Sequence, residues 1–158
     1  MTLPDRPASG HDGVMDTSEH HLGVLDESTC LRLLARERFG RIAFSSQGLP
    51  SIFPVNYVLE GDTAFFRTEP GEKLTAAHKG AIACLEVDGH DGTGLRGWSV
   101  MATGRLRVAS WMRVGGLSRL PAAPWAWSAS DHFVEMSVEL ISGRTVGDRD
   151  LGPDSALR

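Results

Sequence analysis

Arg67, Thr68, Gly71 and Lys73 fall close together, after a strand-like run and before a short helical one. Arginine and lysine supply charged donors and threonine a hydroxyl. A glycine loop at a helix N-terminus turns backbone N–H groups outward, and the helix dipole favours negative charge there. The set suits a phosphate monoester. It equally suits a solvated surface turn, because loops of this composition are common. Upstream, Asn56 interrupts the apolar run "SIFPVNYVLE". Asparagine is disfavoured in strands and needs partners when buried, so a backbone bridge and a ligand edge are both open.

Other chemistry-bearing residues form no such constellation. Cys30 and Cys84 lie in different elements without metal-ligand spacing, and read as free, reduced, buried thiols. His78 and His132 suit surface or capping positions, and His11, His20 and His21 sit in a polar N-terminal stretch where weak adventitious metal binding is the most they offer. No Ser-His-Asp, Cys-His or paired-carboxylate set is evident. Trp111, Trp125 and Trp127 flank an irregular "PWAW" segment that either packs over a barrel end or walls a ligand. Arg105 and Arg107 share the polar face of one strand, as solvated or interface charges do.

Bulk properties narrow the class. A chain of 158 residues has room for one domain and one sizeable core. Its formal net charge of -4 argues against a duplex nucleic-acid binder, which would carry a basic face. No apolar run approaches the ~18 residues of a membrane helix. The first residues lack an apolar signal-peptide core. A cytoplasmic protein is expected, with no nucleic-acid or membrane partner.

The elements that must position these residues follow from periodicity. Residues 1–22 read as a disordered segment, 23–147 as the folded domain and 148–158 as a loose tail. Asp26 caps a helix over about 27–38, with Leu31, Leu34 and Ala35 at helical spacing and Gly40 as its stop. Strands are expected at 41–46 and 50–60, split by the hairpin-type break Gln47-Gly48. A third runs over 63–68, then a short helix over 72–80 and a strand over 81–89. In "GWSVMATGRLRVAS" the period-2 pattern sets Trp98, Val100, Ala102, Gly104, Leu106 and Val108 on a core face. A last strand carries Val134, Met136, Val138 and Leu140 on one face. Six strands with short turns and two or three helices predict a mainly β fold, a small antiparallel barrel.

The segments "FGRIAF" (39–44), "PVNYV" (54–58), "FFRTEPGEKL" (65–74), "CLEVD" (84–88), "GWSVMATGR" (97–105) and "SGRTV" (142–146) occur in an order and spacing that resembles the FMN-binding split-barrel family related to pyridoxamine 5′-phosphate oxidase. More narrowly they resemble its actinobacterial pyridoxamine-oxidase-like branch. The resemblance implies a six-stranded antiparallel split β-barrel that forms a homodimer, with cofactor sites at the interface. It implies that Arg67, Thr68 and Lys73 hold the FMN phosphate, with Leu74 beside them among the cofactor-binding residues. Pro54, Val55, Asn56 and Tyr57 would then run beside the flavin edge, with Phe66 flanking the ring or ribityl chain. Trp98 and Ser99 would approach from the partner subunit. The implied activity is flavin-dependent redox chemistry on a small organic molecule, with a non-catalytic flavin, deazaflavin or haem binder as the alternative. The parent oxidase's C-terminal basic and histidine residues have no counterpart in "SGRTVGDRDLGPDSALR", so oxidation of pyridoxamine phosphate itself is not expected.

Overall fold

A computed structural model describes residues 21–90, 96–115 and 132–147. In chain order the elements are β1 (His21–Leu25), α1 (Glu27–Arg36), β2 (Phe39–Ser46), β3 (Leu49–Glu60), β4 (Thr63–Thr68), α2 (Glu72–His78), β5 (Ile82–His90), β6 (Gly97–Val108), α3 (Trp111–Val114), β7 (His132–Ser137) and β8 (Leu140–Gly147). The sheet order is β1-β8-β6-β5-β2-β3-β4-β7, and β7 also pairs with β6. That second pairing closes β2 to β7 into a six-stranded antiparallel barrel, which β8 and β1 extend on one side. Closure removes the unpaired edges a flat sheet of these strands would expose.

The barrel interior is filled by alternate residues of its strands. Ile42, Tyr57, Phe66, Leu85, Val100, Leu106, Val134 and Met136 are all essentially solvent-free. Fully burying a side chain of this size contributes about 1.5–3 kcal/mol. Helix α1 forms because Asp26 accepts a 2.8 Å bond from the Thr29 N–H at its first turn, satisfying a donor the helix cannot. It then buries Thr29, Cys30, Leu33 and Leu34 at three- and four-residue spacing. Helix α2 presents Ala76 and Ala77 to the core. Its end is a Schellman turn: Gly80 takes φ +63°, the Ala81 N–H reaches the Ala76 carbonyl at 3.0 Å and the Gly80 N–H reaches Ala77 at 3.1 Å. Arg105 closes that end with a 2.6 Å bond to the Gly80 carbonyl.

Strand β6 pairs with β5 along one edge and with two strands in succession along the other. Up to Thr103 it pairs with β8, and from Leu106 it pairs with β7. The switch occurs at Gly104, where a Cβ would run into the Ser137 carbonyl oxygen. The expected core face of β6 is buried from Trp98 to Leu106, whereas Val108 is 38% exposed at the strand end.

Several features differ from the sequence expectation, beginning with α1, which ends at Arg36 with Glu37 as its cap, so that Gly40 is a buried residue of β2 rather than the helix stop. The run 133–140 is not one strand, because the Val138 N–H bonds the Asp62 carbonyl at 2.7 Å while the Glu139 N–H bonds Thr103 at 2.9 Å. Neighbouring residues are thus tied to different parts of the barrel. The alternation of apolar residues continues through this break and disguises it. Leu140 consequently belongs to β8 and is 72% exposed. The "SGRTV" segment is part of β8, and a strand, β1, begins at His21, ahead of the expected domain start. The expected disorder of 1–22 falls almost wholly outside the described residues. So do the tail 148–158, Trp125, Trp127, His11 and His20.

Candidate functional site

Strand pleating sorts the expected site residues into two sets. Val55, Tyr57, Phe66, Thr68 and Trp98 are buried, with 8% exposure or less. Tyr57 and Phe66 are cross-strand partners on the inner face. The Tyr57 hydroxyl donates to the Leu34 carbonyl at 2.6 Å, and burial pushes its pKa upward. The Thr68 hydroxyl donates to the Glu69 carbonyl at 3.1 Å. The indole of Trp98 packs against Gly89, with the Arg36 guanidinium 5.9 Å from its ring centroid. Leu74 is buried in the first turn of α2.

Pro54, Asn56, Arg67 and Ser99 take the opposite parity and face outward. Asn56 pairs with Phe39 and Pro54 pairs with Arg41. The β3–β4 pairing ends at Tyr57–Phe66, and Asn56 and Arg67 lie one residue beyond it, paired instead with Phe39 and Phe133. Ser99 pairs with Asp88 on β5 and Arg144 on β8. Arg41 bridges two carboxylates of β5, at 2.6 Å from Asp88 and 3.2 Å from Glu86. Those hydrogen bonds, Asp88 first, raise its pKa above the usual arginine value. As exposed ion pairs they contribute little to stability, but they fix the polarity of the face.

The same outer face has an apolar half. Ile52, Ala43, Cys84, Thr103 and Leu140 form one continuous cross-strand row. Ile52, Ile82, Met101 and Leu140 are each at least 50% exposed. Leu22 and Val24 on β1 carry the patch to its edge. Cys84 is half-buried in this row, whereas Cys30 is fully buried on the core-facing side of α1; both are free thiols.

Lys73 opens α2 and reaches back to β3, its ammonium 4.6 Å from the Phe53 ring centroid. The helix begins at Gly71, which supplies no side-chain cap. Arg67 and Lys73 thus flank the Glu69–Gly71 turn, one on the outer face of β4 and one at the barrel mouth.

A family profile described as pyridoxamine 5′-phosphate oxidase matches residues 26–145. The chain belongs to the pyridoxamine 5′-phosphate oxidase family. An uncharacterised protein of Mycobacterium tuberculosis is 33% identical over 131 residues, 78% of this chain and 86% of its relative. A solved FAD-binding protein from Mycobacterium smegmatis is 30% identical, with a TM-score of 0.67 over 79% of this chain and 98% of that one. A FAD-binding protein from Mesorhizobium loti shares the fold at a TM-score of 0.71 and 24% identity, covering 82% of this chain and 99% of that one. The oxidase-family barrel is therefore the frame in which the outer face must be understood.

Several residues of this face carried no role in the sequence expectation. Phe39, Arg41, Glu86, Asp88 and Met101 all lie on it, beside Asn56, Pro54 and Ser99. For Arg41, Glu86 and Asp88 the signal was a charged residue at alternate positions of "FGRIAF" and "CLEVD", between the buried ones. Phe53 was likewise unassigned, since one aromatic in an apolar run carries no mark of its cation partner. Among the described residues no group of His, Cys, Asp and Glu is placed to hold a metal ion, and no helix is long and apolar enough to cross a membrane.

Proposed function

We propose that this protein is a cytoplasmic homodimeric flavin-binding barrel, acting as an oxidoreductase on a small organic molecule. The observation that carries the reading is the composition of one outer face. Asn56, Arg67 and Ser99 stand on it beside exposed Ile52, Ile82, Met101 and Leu140. Exposed apolar patches of this kind mark interaction surfaces. A second copy docked on the apolar half would bury it and bring a second polar row against the first, enclosing a slot for a flat ring with polar edges.

The residues fit FMN. A phosphate dianion requires charged donors, which Arg67 and Lys73 supply, with Thr68 and the Gly71 turn between them. Gly71 places no side chain on the first amides of α2, and Asn56 offers both a donor and an acceptor at the outer face. A bound flavin supplies the redox chemistry, and the protein positions it and excludes water. The FAD-binding description of the two solved relatives makes FAD the natural comparison ligand. The second reading is a non-catalytic flavin carrier or sensor, which the same cofactor site would serve.

The test is the absorbance spectrum of purified protein, followed by titration with FMN and FAD. A flavin spectrum, or fluorescence quenching at micromolar concentration, supports the proposal. Indifference to both flavins removes it and directs the search to deazaflavin and haem. Steady consumption of a nicotinamide or reduced-deazaflavin donor with a small acceptor separates the enzyme from the carrier.

A further inference from the structure

Two contacts join the first turn of α2 to the inward row of β3, and a third carries the row on to β2. The Lys73 ammonium lies over the Phe53 ring at 4.6 Å. The Phe53 ring stacks on Phe44, with centroids 5.7 Å apart and planes at 25°. Two residues before Phe53, the Ser51 hydroxyl donates to the Glu72 carboxylate at 3.2 Å. Phe44 is 6% exposed and belongs to the core cluster. An unbroken line of packing thus runs from the barrel interior through two aromatic rings to one ammonium.

A lysine side chain has four freely rotating carbons, and immobilising it costs up to ~2 kcal/mol of rotamer entropy. The negative π-face of an aromatic ring offsets part of that cost without neutralising the charge. A carboxylate in the same position would also hold the ammonium but would compete with an anionic ligand for it. Here the carboxylate adjacent in sequence, Glu72, accepts a bond from the Ser51 hydroxyl instead.

We propose that Phe53 is a positioning residue that presents Lys73 to the cofactor's phosphate. The ring restrains the ammonium at the barrel mouth and leaves its N–H donors for phosphate oxygens, so Phe53 sets the preference for phosphorylated over unphosphorylated flavin. This proposal rests on the phosphate role of Lys73 given above.

The experiment compares FMN with riboflavin, which carries the same ring and no phosphate. Both are titrated by fluorescence into the full chain and into Phe53→Leu, Phe53→Tyr and Lys73→Ala variants. Phe53→Leu is expected to weaken FMN about two- to fivefold, the range of an exposed cation–π contact, and to leave riboflavin unchanged. Phe53→Tyr, which keeps the π-face, is expected to retain the wild-type ratio of the two affinities. If Phe53→Leu keeps that ratio while Lys73→Ala loses it, Phe53 has no positioning role and the phosphate reading stands. Equal weakening of both flavins by Phe53→Leu assigns the ring to packing alone and also overturns the proposal. If Lys73→Ala leaves the ratio intact, the phosphate reading falls and takes the proposal with it.

Discussion

Tyr57 fastens the end of α1 to the barrel wall, its hydroxyl donating a 2.6 Å bond to the Leu34 carbonyl. Leu34 lies in the last turn, where helix carbonyls have no partner of their own. The Tyr57 N–H adds a 2.9 Å bond to the Arg38 carbonyl just past the helix. One residue of β3 thus holds both the helix end and the chain leaving it. Tyr57→Phe keeps the ring and orphans the Leu34 carbonyl, so it should cost about 1–3 kcal/mol. Urea unfolding at neutral pH measures this, and an unchanged midpoint would remove the bond from the account.

The close approach at Gly104 makes a second prediction. Gly104→Ala places a methyl group against the Ser137 carbonyl, a backbone atom that cannot rotate away. Destabilisation of at least about 1–3 kcal/mol is expected, although alanine suits a strand no worse than glycine. Thermal melts decide it: a wild-type Tm would mean that β6 and β7 separate easily.

Removing the Lys73 ammonium should be felt by the ligand far more than by the fold, because the side chain is half-exposed. Lys73→Ala is expected to weaken FMN binding by about 1.5–3 kcal/mol, the scale of a hydrogen bond to a charged group. Calorimetric titration checks the value, with near-normal melting as the control.

Acid stability should depend on Asp26. Hydrogen bonds from the Ser28 hydroxyl, the Thr29 N–H and the Thr29 hydroxyl lower its pKa from 3.8 to about 2. Because the folded pKa is the lower one, the unfolded chain takes up the proton first as pH falls. The contribution is whole above the ordinary carboxylate range and declines as pH drops from about 4 toward 2. Asp26→Asn keeps a capping oxygen and should flatten this acid limb in a series of urea melts. Parallel limbs for the two proteins would count against the assignment.

Self-association should depend on Met101, which is 50% exposed in the outer face opposite Glu86. Met101→Glu sets like charges side by side in the apolar half. The expected result is a monomer by light scattering at micromolar concentration. A dimer that persists moves the interface elsewhere.

Residue patterns carried much of this architecture. Alternation in "GWSVMATGRL" marks the buried face of β6 from Trp98 to Leu106, because a strand between core and outside has a strict period of two. The Gln47-Gly48 hairpin was equally visible, and both residues take positive φ. What stayed hidden depends on pairing. Asn56, Phe39, Asp88 and Ser99 are distant in the chain, and only the strand registers align them. A repeat of two also says nothing about which neighbour accepts each N–H, so the division at Val138–Glu139 left no trace in residue types.

The pairing of β1 with β8 aligns His21 with Gly147 and Leu25 with Gly143. A ribosome delivers these partners in strict order, with the whole barrel between them. The exposed Leu22 and Val24 therefore wait, without a mate, through the synthesis of every other described strand. Closing so long a loop is entropically slow compared with forming a local hairpin. Nascent chains with residues up to about 140 outside the ribosome should accordingly hold an assembled interior and an unzipped N-terminal strand, the segment most open to chaperones or to neighbouring copies.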